Sequence, residues 1–138
     1  MDLTVNLFTS FGYFESDAEH LRALREMVAT VRPGGRFALD FLNAVRVPRE
    51  LVRLEHGTLA GQPVQIDRWL DPAQRHVFKS ITTADGRRFV ERVRLFTAGE
   101  LELLLAEAGG SVRHRLGDYD GGPLAPDTPR VILVALVA

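Results

Sequence analysis

Apolar residues fall into short runs along this chain, and the spacing inside each run predicts its backbone. Leu3 to Phe8 is mostly apolar, with Asn6 inside it, and predicts a buried strand. Thr9 to Phe14 interrupts that run with Gly12 between two aromatic residues. Ser16-Asp17-Ala18-Glu19 then has the spacing of a capping box: the hydroxyl accepts from the amide three residues on, and the glutamate returns to the cap's own amide. Leu21, Leu24, Val28 and Val31 recur at helical intervals, with Arg22, Arg25 and Glu26 off that face. Pro33 disfavours helical backbone at Arg32 and Gly34 accommodates positive φ, so the helix should stop there. Arg36 to Leu42 is nearly continuous apolar sequence, as expected of a parallel strand covered on both faces.

The middle of the chain changes character. Val45 to Leu54 predicts a short helix after Pro48, and Gln62 to Phe96 predicts three antiparallel strands. Asp71-Pro72-Ala73-Gln74 supplies the first turn between them and Asp85-Gly86 the second. Thr97-Ala98-Gly99-Glu100 is a second capping box, opening a helix with Leu101, Leu104, Leu105 and Ala108 inward and Gly109 as its stop. Ser111 to Leu116 alternates like a half-buried strand, Gly117 to Pro129 is a Gly/Pro/Asp-rich loop, and Val131 to Val137 is an interior strand. That loop lacks room for a helical crossover, so the last two strands should pair antiparallel.

Composition narrows the function. A chain of 138 residues fits one domain, here with the antiparallel insertion inside it, and shows no linker or repeat. The formal charge of −1 gives no electrostatic reason to expect nucleic acid or an anionic membrane as partner. There is no cysteine, which excludes disulfides, thiolate metal sites and cysteine nucleophiles. The N-terminus lacks a basic-then-apolar signal pattern and Val131 to Ala138 is too short to span a bilayer, so the expected location is cytoplasmic. His20, His56, His76 and His114 show no metal-ligand spacing and read as surface or strand-face residues, with no metal site expected.

Four segments, in order, carry a resemblance. They are Asp2 to Phe14 (Asp-Leu-Thr-Val-Asn-Leu-Phe-Thr-Ser-Phe-Gly-Tyr-Phe), Arg32-Pro33-Gly34-Gly35 running into Arg36 to Asp40, Arg94-Leu95-Phe96-Thr97 running on to Leu101 with Ala108-Gly109, and Gly117 to Gly121 followed by Pro129 to Ile132. Together they resemble the C-terminal half of a class I S-adenosylmethionine-dependent methyltransferase. The resemblance implies an α/β fold: a partial Rossmann-like sheet with an antiparallel last strand and a small antiparallel β insertion. It implies S-adenosylmethionine as cofactor, with Asn6, Leu7, Phe8, Thr9 and Phe11 forming part of its pocket. Phe8, Phe11, Tyr13 and Phe14 equally fit a core cluster beside a tight turn.

Asn43 (with Asp40), Arg94 and Tyr119 are the candidate contacts to a methyl acceptor. Cap chemistry competes at Asn43 and turn chemistry at Tyr119 and its neighbours Asp118 and Asp120, while Arg94, with Arg87, Arg88 and Arg92, fits a solvated strand face better than an anchor for an acidic substrate. No catalytic residue is assigned. The glycine-rich loop by which the family grips its cofactor is not found, because Gly34-Gly35 and Gly109-Gly110 end helices rather than open them. The expectation is therefore a methyltransferase-related chain, inactive alone. Its partner would be a second copy or a chain supplying the other half. The alternative is a non-catalytic dimerisation or binding module, with Leu3 to Phe8 as an apolar edge strand in need of cover.

Overall fold

The computed structural model describes residues 1–7 and 11–138, and these form two compact units, Met1–Arg46 with Phe96–Ala138, and Val47–Leu95. The first is built on a mixed sheet of β1 (Leu3–Asn6), β2 (Arg36–Leu42), β8 (Arg130–Val137) and β7 (Gly110–Leu116), in that spatial order. β1 and β2 run parallel, while β8 is antiparallel to both β2 and β7. The partial Rossmann-like sheet with its reversed last strand is present as expected.

Both capping sequences open helices. Ser16 accepts from the Glu19 amide at the start of α1 (Asp17–Ala29). At α3 (Ala98–Glu107) the box closes both ways between Thr97 and Glu100. α1 ends into the Pro33-Gly34-Gly35 turn, which also fastens neighbouring segments. Arg32 N–H donates to the Met1 carbonyl at 2.7 Å, Gly34 N–H to Val137 at 2.8 Å, and Arg36 N–H to Asp2 at 2.9 Å. Gly34 has a φ of 83°, and a Cβ on Gly35 would lie 2.8 Å from the Asp2 carbonyl oxygen. Glycine at both positions is what lets β1 and β2 begin side by side.

Strand register divides the sheet into two faces. Phe37, Leu39 and Phe41 of β2 pair with Ala135, Leu133 and Val131 of β8, and all six are buried. α1 and α3 pack against each other and lie on this side: Thr30 and Met27 reach Thr4 and Asn6 of β1, and Glu102 forms an ion pair with Arg115 of β7. The opposite face carries Leu3, Val5, Ala38, Ile132, Val134 and Leu136, all half-buried or exposed. β1 ends the sheet, with one edge unpaired among the described residues.

The second unit begins with one turn of helix, α2 (Val47–Glu50), much shorter than the Val45 to Leu54 expectation. It continues as a four-stranded antiparallel sheet, in order β3 (Leu54–Leu59), β4 (Gln62–Leu70), β5 (His76–Thr83), β6 (Arg88–Arg94). The sequence predicted three of these strands and missed β3. Its turn uses Ala60 and Gly61, with φ of 50° and 78°. Two successive positive φ values suit a tight hairpin, but alanine rarely adopts one, so the usual Asn-Gly or Asp-Gly signal is missing. The other two turns are where expected: Asp71 accepts from the Arg75 and His76 amides, and Gly86 takes a φ of 87°.

Candidate functional site

Open α/β sheets bind ligands beyond the carboxyl ends of their parallel strands, here the ends of β1 and β2. Two groups of side chains gather there, both within the first unit.

The first is a groove of about 370 Å³ lined by Asn6, Phe11, Phe14, Ala23, Glu26, Met27 and Thr30. Asn6 stands at the end of β1, and its amide donates to the Met27 sulfur at 3.4 Å. Phe11 is buried against Phe41 and Phe96, at ring separations of 6.5 and 5.6 Å. It thus serves as the core aromatic that the sequence allowed for, while still lining the groove. Leu7 is exposed, and Phe8 and Thr9 lie outside the described residues. The α1 side of the groove was not anticipated. Ala23, Glu26, Met27 and Thr30 share one helix face, but their mixed polarity made that face look solvated.

His20 supports this group from beneath. It was expected at the surface, yet it is 1% exposed. Its ring packs among Phe11, Phe14 and Phe96, and its Nε2 accepts from the Phe14 amide at 3.1 Å. Residues 20, 24 and 28 form one helical stripe, and all three are buried. That spacing from Leu24 and Val28 was the available signal; the residue type concealed it.

The second group centres on Asp40, 2% exposed, on the half-open face of β2. Its Oδ2 accepts from the Tyr119 hydroxyl at 2.6 Å and its Oδ1 from Arg130 Nε at 2.9 Å. Arg130 also sits over the Tyr119 ring, 5.9 Å from its centre. The hydrogen bond to Asp40 raises the Tyr119 phenol above its usual pKa; burial adds to this, and the Arg130 charge opposes it. The Tyr119 residue is nonetheless 61% exposed, so its ring edge remains accessible. Asn43 sits three residues past Asp40. Its amide donates to the carbonyls of Pro126 and Thr128 at 3.1 and 2.9 Å, and its oxygen accepts from Val45 N–H. Both of its donors therefore hold the loop over 117–129 to the strand end. Asp118 likewise caps its own turn through the Asp120 and Gly122 amides.

Arg94 belongs to the second unit, where it is buried and donates to the Leu95 carbonyl at 2.7 Å. On the same strand face Trp69 and Phe78 stack at 5.4 Å, with Arg88 6.0 Å from the indole centre.

No protein-family model matches the chain, and no curated protein matches it. Solved structures do. CcbJ methyltransferase from Streptomyces caelestis is 19% identical with a TM-score of 0.76, over 99% of this chain and 61% of its own. A S-adenosylmethionine-dependent methyltransferase from Clostridium acetobutylicum is 14% identical with a TM-score of 0.81, over 99% and 58%. CalS10, an amino pentose methyltransferase from Micromonospora echinaspora solved with S-adenosylmethionine bound, is 22% identical with a TM-score of 0.62, over 99% and 58%. The chain thus spans less than two thirds of the length of these structures, and its architecture is part of a S-adenosylmethionine-dependent methyltransferase fold.

Proposed function

We propose that this chain forms one wall of a S-adenosylmethionine-dependent methyl-transfer site, at the carboxyl ends of β1 and β2. The observation that carries the reading is the Asn6–Phe11–Phe14–Glu26–Met27 groove at the end of a parallel strand pair, in a chain whose fold is shared with cofactor-bound methyltransferases. The residues suit the sulfonium end of such a cofactor. An aromatic face attracts a cation, which the exposed Phe14 ring can offer, and Glu26 adds a carboxylate to the same groove. Besides Glu26, the groove's polar side chains are Asn6 and Thr30, too few for a ribose and an amino-acid carboxylate. The remaining grip would come from a further segment or chain alongside β1.

The cofactor would supply an electrophilic methyl on sulfur. The protein's part is then positioning and exclusion of water rather than covalent chemistry. Asn6 and Leu7, with Phe8, Thr9 and Phe11, would face the donor. Tyr119 would meet the acceptor, with Asn43 and Asp40 holding its loop in place. Arg94 is not used in this reading. An amine acceptor is proposed because two of the similar proteins are described as a sugar N-methyltransferase and an amino pentose methyltransferase. Titration of the 15N-labelled chain with S-adenosylhomocysteine tests the donor side even if binding is weak. Amide shifts should concentrate at Asn6, Phe11, Phe14 and Met27. No shifts at millimolar ligand, or shifts scattered elsewhere, would overturn the reading.

A second reading rests on the free edge of β1, where Leu3 and Val5 are 55% and 47% exposed. An apolar edge strand of this kind recruits another strand, so the chain would act as an assembly module pairing through β1 with a second copy. Sedimentation decides it: a stable monomer at high concentration counts against self-association.

A further inference from the structure

We propose that His20, neutral and carrying its proton on Nδ1, is the positioning residue that fixes Phe11 to Phe14 as a wall of the cofactor groove. This rests on the functional reading above for what the wall contacts, though not for how it is held. A histidine nitrogen that accepts from a backbone amide must present a lone pair. The Phe14 N–H donates to Nε2 at 3.1 Å, so a neutral ring must hold its proton on Nδ1. The Asp17 carboxylate, 3.5 Å from Nδ1, favours that tautomer electrostatically.

The surroundings make the arrangement sensitive to substitution. His20 touches Phe11, Phe14 and Phe96 edge-on or tilted, with centroid separations from 5.2 to 5.6 Å. Phe11 and Phe14 are the two aromatic residues of the groove, and His20 is the buried group in contact with both. One imidazole therefore fixes a backbone amide and two side chains of a segment that has no helix or strand of its own.

Protonation at Nε2 would remove the acceptor. The Phe14 bond therefore belongs to the neutral ring, and acidification that charges His20 should weaken it. The charged groups around this site are mostly acidic. Asp17 lies on α1 itself and Glu15 next to Phe14. Glu19, Arg22 and Glu26 line a second groove that also includes Phe14, and Glu100 and Glu107 of α3 share a third with Asp17 and Phe96. Acidic neighbours oppose the neutral ring, and burial among aromatic rings favours it.

The test uses the whole chain and two variants. His20→Gln can return an acceptor oxygen near the Nε2 position, whereas His20→Phe keeps an aromatic ring and offers none. Amide exchange at Phe14, measured from pH 5 to 8 and referred to global stability, should be about tenfold faster in His20→Phe, the size of one hydrogen bond. It should stay near wild type in His20→Gln. The wild type should lose protection on acidification, and His20→Gln should not. Imidazole 15N shifts should show Nδ1 protonated. Equal Phe14 exchange in wild type and His20→Phe, or a proton on Nε2, overturns the proposal. S-adenosylhomocysteine titration of the same samples separates the two claims. A wild type that does not respond sinks the functional reading alone, whereas a response unchanged in His20→Phe sinks the positioning role.

Discussion

The two faces of the mixed sheet are built from the same strands, yet they meet different surroundings. On one, Phe37, Leu39 and Leu133 are fully buried beneath α1 and α3. On the other, Leu3 and Val5 are exposed, and Ala38, Ile132, Val134 and Leu136 are half-buried. The second face is nonetheless almost as apolar as the first. Strands that read as continuous apolar runs belong in sheets covered on both sides, so the composition of the second face exceeds what its present exposure requires. The similar structures are longer than this chain, which accounts for about 60% of their length. The polar residues of the open face include Arg36, Ser111 and His114, which are exposed, and Asp40, which is buried with Tyr119 and Arg130 at the end where ligands are expected.

The contrast can be broken at several points. The largest effect should come from Leu39→Ala on the covered face, which leaves a cavity and should cost about 2–5 kcal/mol by urea unfolding. Asp40→Asn should follow, at about 2 kcal/mol, because Arg130 loses a charged acceptor and Tyr119 a strong one. A loss as small as that of a surface substitution would show the network to be loose. Val134→Ser, on the open face of β8, should cost only about 0.5–1 kcal/mol. A cost like that of Leu39→Ala would mean the face is already covered.

Val5→Lys sharpens the edge argument. It should change stability by under about 0.5 kcal/mol while abolishing any concentration-dependent association seen by sedimentation. The smallest expected signal is spectroscopic. Tyr119 should ionise above the ordinary tyrosine value, chiefly because ionisation would remove its hydrogen bond to Asp40. The stability this bond contributes is therefore present below the unfolded tyrosine pKa, near about 10, and is lost as pH rises through the higher folded one. Asp40→Asn should bring the Tyr119 ultraviolet titration back towards the ordinary value.

Local signals located most of the fold. The capping sequences at Ser16 and Thr97, the Pro33-Gly34 stop and the Asp85-Gly86 turn each act through atoms a few residues apart. The antiparallel closing of β7 and β8 followed from a loop too short for a crossover. β3 escaped because its Leu-Glu-His-Gly-Thr-Leu sequence lies on an exposed edge and has no buried alternation, and its turn places alanine at positive φ. The site was less legible. Asn6 and Phe11 do line one groove, but the helix face opposite them, at Glu26 and Met27, carries no apolar period.

Sequence by itself determined where the chain turns, which segments are helix or strand, and that its strands are apolar on both sides, because these depend on neighbours within one turn or one pleat. Tertiary structure alone decided that His20 lies inside an aromatic cluster and that Tyr119 closes onto Asp40, 79 residues away. It also decided that the Asn43 amide donates to the Pro126 and Thr128 carbonyls of a loop more than 80 residues away. Those outcomes follow from side chains meeting across the sheet, where a hydrogen bond or a ring contact is set by distance in space, and separation along the chain carries no record of it.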